Sequence, residues 1–113
     1  MNPAFRDAVL HFVSWTEFES LDLTQELIDE HFTKQHLKMN KIRSITPGSG
    51  AYVNDCDYFE PDWETSLYGK NYDRLLEIKQ KYDPKGLFRV WNGVGGMRPP
   101  TDGINRKHDL YDN

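Results

Sequence analysis

The chain has a single cysteine, Cys56, among its 113 residues. It can therefore form no internal disulfide and no multi-cysteine metal knot, and its thiol content leaves the redox compartment open. It also lacks any apolar run near the roughly 18 residues needed to cross a bilayer. Met1-Asn2-Pro3 is followed by neither a basic segment nor an apolar signal region. No membrane partner is expected, and the sequence names no compartment. Nor is there an excess of basic charge. Fourteen Lys and Arg against eighteen Asp and Glu give a formal charge of −4, whose field repels phosphates, so nucleic acid is not an expected partner. No internal repeat or low-complexity stretch is visible.

What remains is 37% hydrophobic and 13% aromatic, enough for the modest core of one domain. Charged residues make up 28%, which favours a piece of a larger body over a self-contained globule. Ala8–Trp15 (AVLHFVSW) is β-branched and aromatic on both alternating faces, and reads as a strand covered on both sides. No second strand of comparable strength follows, so the sheet is expected to come from outside the chain. Asp22 or Thr24 can cap a long helix to about Ser44, with Leu27, Ile28, Phe32, Met39 and Ile42 as its apolar stripe. Thr46-Pro47-Gly48-Ser49-Gly50 stops it. Asp62-Trp63-Glu64 opens a short helix ending at Gly69. Asn71 caps another, with Tyr72, Leu75, Leu76 and Tyr82 facing inward before Asp83-Pro84 ends it. A brief extended segment is expected over Leu87–Trp91 and an irregular tail over 97–113. The fold class expected is α+β: one edge strand, a long amphipathic helix, two short helices and the tail.

Several groups could carry chemistry. Extended, Tyr52-Val53-Asn54-Asp55 sends Tyr52 and Asn54 to one side, where a phenol and a carboxamide suit a ligand edge bearing both donors and acceptors. The alternative is a half-buried Tyr52 with Asn54 satisfying a turn. Asp55 could act as a base only if burial or the neighbouring Asp57, Glu60 and Asp62 raised its pKa; the same acids also read as a solvated loop. Their spacing does not fit calcium, since Phe59 and Glu60 occupy positions an EF-hand loop gives to a ligand and to glycine. Gly93, Gly95 and Gly96 lead into Met97-Arg98-Pro99-Pro100, which cannot open the helix a dinucleotide-binding turn requires. The four histidines lack metal-ligand spacing, His31 and His36 being on different helix faces. Cys56 lies among acids that oppose its thiolate. Arg74 reads as an exposed charge, or as a pair for an acid of another domain.

Four elements in one order carry a resemblance: Tyr52-x-Asn54-Asp55, Glu60-Pro61-Asp62-Trp63, Gly69-x-Asn71-Tyr72-x-Arg74-Leu75, and Ile78-Lys79-x-Lys81-Tyr82-Asp83-Pro84 through Phe88. Together they resemble the C-terminal berberine-bridge segment of FAD-linked oxidases of the berberine bridge enzyme-like, or 6-hydroxynicotine oxidase-like, family. Residues 2–8 resemble the start of the last strand of that family's substrate domain. The resemblance divides the chain into 1–46, the end of the substrate-domain-like region; 47–96, the berberine-bridge-like segment; and the tail 97–113.

It implies an FAD-dependent oxidoreductase in which a small organic substrate passes hydride to the flavin and O2 commonly reoxidises it. Tyr52, Asn54, Asn71 and Tyr72 are then the cofactor-binding candidates. The catalytic base is left open, with Asp55 standing where many relatives have a Tyr that can act as base. The implied partners are an upstream FAD-binding domain missing here and a small-molecule substrate. Alone, the chain is not expected to hold FAD or turn over. The alternative is a free-standing protein-interaction module or a decayed remnant without catalysis.

Overall fold

The computed structural model describes residues 1–15, 17 and 24–96. Three α-helices carry the architecture: α1 (Gln25–Ile45), α2 (Trp63–Tyr68) and α3 (Tyr72–Tyr82). A 3-10 turn at Pro3–Arg6 precedes them and another at Gly69–Asn71 joins α2 to α3. Thr24 caps α1 by accepting from Leu27 N through its hydroxyl, and the backbone leaves the helical region at Thr46, just before Pro47. Asp22, the other expected cap, and the tail 97–113 lie outside the described residues. Asp83 ends α3 immediately before Pro84, as the proline requires.

The α+β expectation is overturned. Among the described residues there is no strand, and Ala8–Trp15 is irregular. Val9 is fully exposed, and Leu10, Phe12 and Trp15 are exposed as well. Alternation makes a segment compatible with a sheet, but its backbone groups need a neighbouring strand, and none is within reach. Leu87–Trp91 likewise forms no ladder. Two finer expectations also change. The Asn71 side chain does not cap α3; its amide donates instead to Met1 O at 3.2 Å. Tyr82 does not face inward but is exposed.

Apolar burial is scarce. Leu67 is the one buried apolar side chain among the described residues, whereas Asn2, Asp57, Glu60 and Asn92 are all buried. Cohesion therefore comes from hydrogen bonds, ion pairs and ring contacts. Phe32 of α1 stacks on Tyr58 with centroids 4.6 Å apart, and Tyr58 stacks on Trp91 at 4.5 Å and 8°. The Trp91 indole donates to Tyr58 O at 2.9 Å. This three-ring stack ties α1, the 57–60 loop and the segment after α3 into one body.

Candidate functional site

Residues 52–55 form a turn, not an extended piece: Asp55 N donates to Tyr52 O at 3.0 Å. The turn still places Tyr52 and Asn54 together, with the Asn54 amide donating to the Tyr52 hydroxyl at 3.3 Å. Both side chains are exposed. Asn54 is left with its carbonyl as acceptor and Tyr52 with its O–H as donor, so the pair can meet a ligand edge offering both. Asp55 is exposed too, so the burial a carboxylate base needs is not supplied by these residues.

Both ends of the turn are anchored in buried structure. At the entrance, Ala51 N donates to Ser66 O at 2.9 Å. The Asn2 amide reaches the same α2 carbonyls, donating to Ser66 O at 2.7 Å and to Thr65 O at 3.0 Å. Its oxygen accepts from Ala4 N at 2.9 Å and so caps the first 3-10 turn. Asn2 fits because its neighbours are glycines. A Cβ on Gly50 would lie 2.5 Å from Asn2 Nδ2, and one on Gly69 would lie 2.7 Å from Asn2 Oδ1. Gly69 also has φ +56, a conformation that favours glycine.

At the exit the anchor is ionic. Arg43, in the last turn of α1, places Nη2 2.6 Å from Asp57 Oδ2 and 2.6 Å from Glu60 Oε2. His36 Nδ1 lies 2.7 Å from Asp57 Oδ2. Phe59 N donates to Asp57 Oδ1 at 2.9 Å, and the Ser66 hydroxyl donates to Glu60 Oε1 at 2.6 Å. The Asp57 and Glu60 side chains are only 1% and 6% exposed, so their reading as a solvated acidic loop is overturned. Burial works against the Arg43 charge, but the hydrogen bonds and charges of Glu60 and Asp57 outweigh it and hold the guanidinium pKa above its ordinary value.

Beside the turn lies an open cleft of about 630 Å³ whose walls include Trp15, Phe32, Asn54, Asp55, Tyr58 and Trp91. Two residues of its walls, Gln35 and Asn92, each bury an amide oxygen, Oε1 and Oδ1, that has no hydrogen-bond donor among the described residues. Gln35 Nε2 is committed to Ser14 O at 2.6 Å. Asn92 Nδ2 faces Cys56 Sγ at 3.4 Å, and the thiol itself donates to Val53 O at 3.2 Å. Burial raises the Cys56 pKa, with the charges of Glu60 and Asp57 acting the same way against the Asn92 contact, so the thiol is kept protonated and unreactive.

Asn71 and Tyr72 make separate contacts. Tyr72 meets Trp63 and Tyr68 edge-on or tilted, with centroids 5.5 Å and 5.8 Å away, and its hydroxyl accepts from Gly95 N at 3.4 Å. Burial and a hydrogen bond with Glu64 raise its pKa. Tyr68 donates to Asn92 O at 2.9 Å. Arg74 pairs with Glu77 at 2.8 Å on an exposed face. Asn2, His36, Arg43, Ser66 and Asn92 escaped sequence reasoning as site residues, because their partners lie far along the chain. Among the described residues no cluster of metal-ligating side chains occurs.

Residues 51–95 match the family model described as "Berberine and berberine like". This segment belongs to the berberine-like family. The chain is 36% identical over 95 residues to FAD-linked oxidoreductase ZEB1 of Gibberella zeae, covering 84% of this chain and 17% of that protein. It is 52% identical over 66 residues to the bifunctional decalin synthase calF of Penicillium decumbens, covering 58% of this chain and 12% of that protein. It is 48% identical over 63 residues to the VAO-type flavoprotein oxidase VAO615 of Thermothelomyces thermophilus, covering 56% and 11%. No solved structure matches. The chain thus carries a berberine-like segment related to FAD-linked oxidoreductases and spans less than a fifth of the length of these relatives.

Proposed function

We propose that this chain forms one wall of the active site of an FAD-dependent oxidase, with Tyr52 and Asn54 facing the flavin or the substrate held against it. The observation that carries this reading is an exposed phenol and carboxamide in mutual contact on a turn anchored at both ends. FAD, when bound, would supply the hydride-accepting chemistry for a small organic substrate, with O2 commonly the final acceptor. The protein's part is to position and polarise. Asp55, exposed here and beside the cleft, is the candidate base once another polypeptide covers it. Asn71 and Tyr72 are bound to Met1 and Gly95, which favours a holding role for them over direct contact with the flavin.

The rest of the pocket is proposed to come from an FAD-binding domain of the kind the longer relatives have room for. The exposed apolar surface supports that cover. Phe12, Trp15, Tyr82, Leu87, Phe88 and Val90 are exposed, and burying an aliphatic or Phe side chain fully is worth up to about 1.5–3 kcal/mol. This chain alone is proposed to be inactive.

The test uses the full-length, FAD-loaded protein carrying Tyr52→Phe and Asn54→Ala together. Sulfite, a small anion that adds reversibly to the flavin ring, serves as the probe. Sulfite affinity is expected to fall at least tenfold and the visible flavin bands to shift. An unchanged affinity and spectrum would remove these two residues from the flavin face.

A further inference from the structure

The Arg43 cluster is out of proportion to its surroundings. A chain with a single buried apolar side chain among its described residues nevertheless buries two carboxylates against one guanidinium. Taking ions out of water costs several kcal/mol each, and a buried pair is seldom more stabilising than apolar side chains of the same volume. Stability alone is therefore a poor reason for the arrangement. Its geometry suggests another. Both Asp57 oxygens and both Glu60 oxygens have donors, and the donors come from three places: His36 and Arg43 of α1, the backbone at Phe59, and Ser66 of α2. Ser66 is also the residue whose carbonyl holds Ala51. The two anchors of the Tyr52–Asp55 turn thus converge on one residue of α2.

We propose that Arg43 is a positioning residue. Its guanidinium fork, locked on Asp57 and Glu60, sets where the Tyr52–Asp55 turn presents Tyr52 and Asn54. The arrangement is a buried support whose rotamers are fixed by several bonds, beneath an exposed pair whose placement has to be accurate. Nη2 contacts both acids at 2.6 Å while Nε lies 3.4 Å from Glu60 Oε1. A lysine, with one point charge at the end of a flexible stem, cannot reproduce that fork. This inference rests on the reading that the turn faces the flavin.

The test again uses the full-length, FAD-loaded protein, with Arg43→Lys alone and on the Tyr52→Phe/Asn54→Ala background. Arg43→Lys keeps the charge, so bound FAD should be retained. Sulfite affinity should fall at least fivefold, and backbone hydrogen exchange over residues 51–60 should quicken. On the double-variant background, Arg43→Lys should add no further loss of sulfite affinity, because its effect passes through the two side chains already removed. Wild-type sulfite affinity and exchange in Arg43→Lys overturn the proposal, and so does a full independent loss on the double-variant background. Should Arg43→Lys fail to hold FAD, Ser66→Ala decides the matter. It removes one donor to Glu60 and should lower sulfite affinity in the same direction by about twofold to threefold; an unchanged affinity overturns the proposal. If the Tyr52/Asn54 double variant is impaired while Arg43→Lys is normal, only this inference falls. If the double variant is itself normal, the proposed function falls first.

Discussion

The entrance and the exit of the Tyr52–Asp55 turn are held by opposite means. At the entrance a neutral amide, Asn2, is fitted between two glycines and spends its hydrogen bonds on backbone groups. At the exit one guanidinium and an imidazole face two buried carboxylates. A neutral contact of this sort costs little to desolvate and depends on shape. The ionic one carries a large desolvation penalty and depends on every partner being present. The two anchors should therefore fail differently when perturbed, although they support the same four-residue turn.

The largest effect is expected at the exit. Arg43→Leu leaves Asp57 and Glu60 buried without their cation, which should cost about 3–5 kcal/mol. Chemical denaturation measures it, and a cost below about 1 kcal/mol would mean that water already reaches those acids. The entrance should be softer. Asn2→Ala removes the donor to Thr65 O and Ser66 O for about 1–3 kcal/mol, and Gly50→Ala should cost a similar amount by driving a Cβ into Asn2. The two changes should not add, because the Gly50 penalty comes mainly from Asn2 itself. Strict additivity in the double-mutant cycle would show that Asn2 does not sit between the glycines.

Asp83 sharpens the contrast from a third direction, as a carboxylate held by its own neighbourhood. It pairs with Lys79 and accepts from Leu87 N at 2.7 Å and Phe88 N at 3.0 Å. The Lys79 hydrogen bond first, and those backbone donors with it, hold its pKa down to about 2 from 3.8. A depressed carboxylate stabilises the folded form fully above its ordinary pKa and loses that contribution as pH falls through the folded value. The amide resonances of Leu87 and Phe88 should therefore titrate with a midpoint near 2, and Asp83→Asn should abolish the transition. A midpoint near 3.8 would mean that the turn after α3 is open in solution.

What the sequence made legible follows the same division between local and distant. The Thr24 cap, the stop at Thr46-Pro47, the start of α2 beside Trp63 and the end of α3 at Asp83-Pro84 are decided by residues within a few positions of one another. The pairing of Tyr52 with Asn54 was legible for the same reason, although it arises from a turn and not from an extended piece. Asp57 and Glu60 looked like solvated acids because their cation lies 14 and 17 positions upstream. Asn2 carried no signal, since its partner Thr65 is 63 positions away. Ala8–Trp15 was misread because alternation records only what a strand's faces require and is silent on whether a partner strand exists.

Each anchor draws one of its partners from outside the stretch that matches the family. Asn2 and Arg43 precede residue 51, where the berberine-like match begins. Anyone transplanting residues 51–95 into another scaffold would move the phenol, the carboxamide and the Ala51–Ser66 bond but leave Asn2 and Arg43 behind. Across homologous sequences, evolutionary change at position 43 should track change at positions 57 and 60, and change at position 2 should track positions 50 and 69, as coordinated substitutions spanning the family boundary.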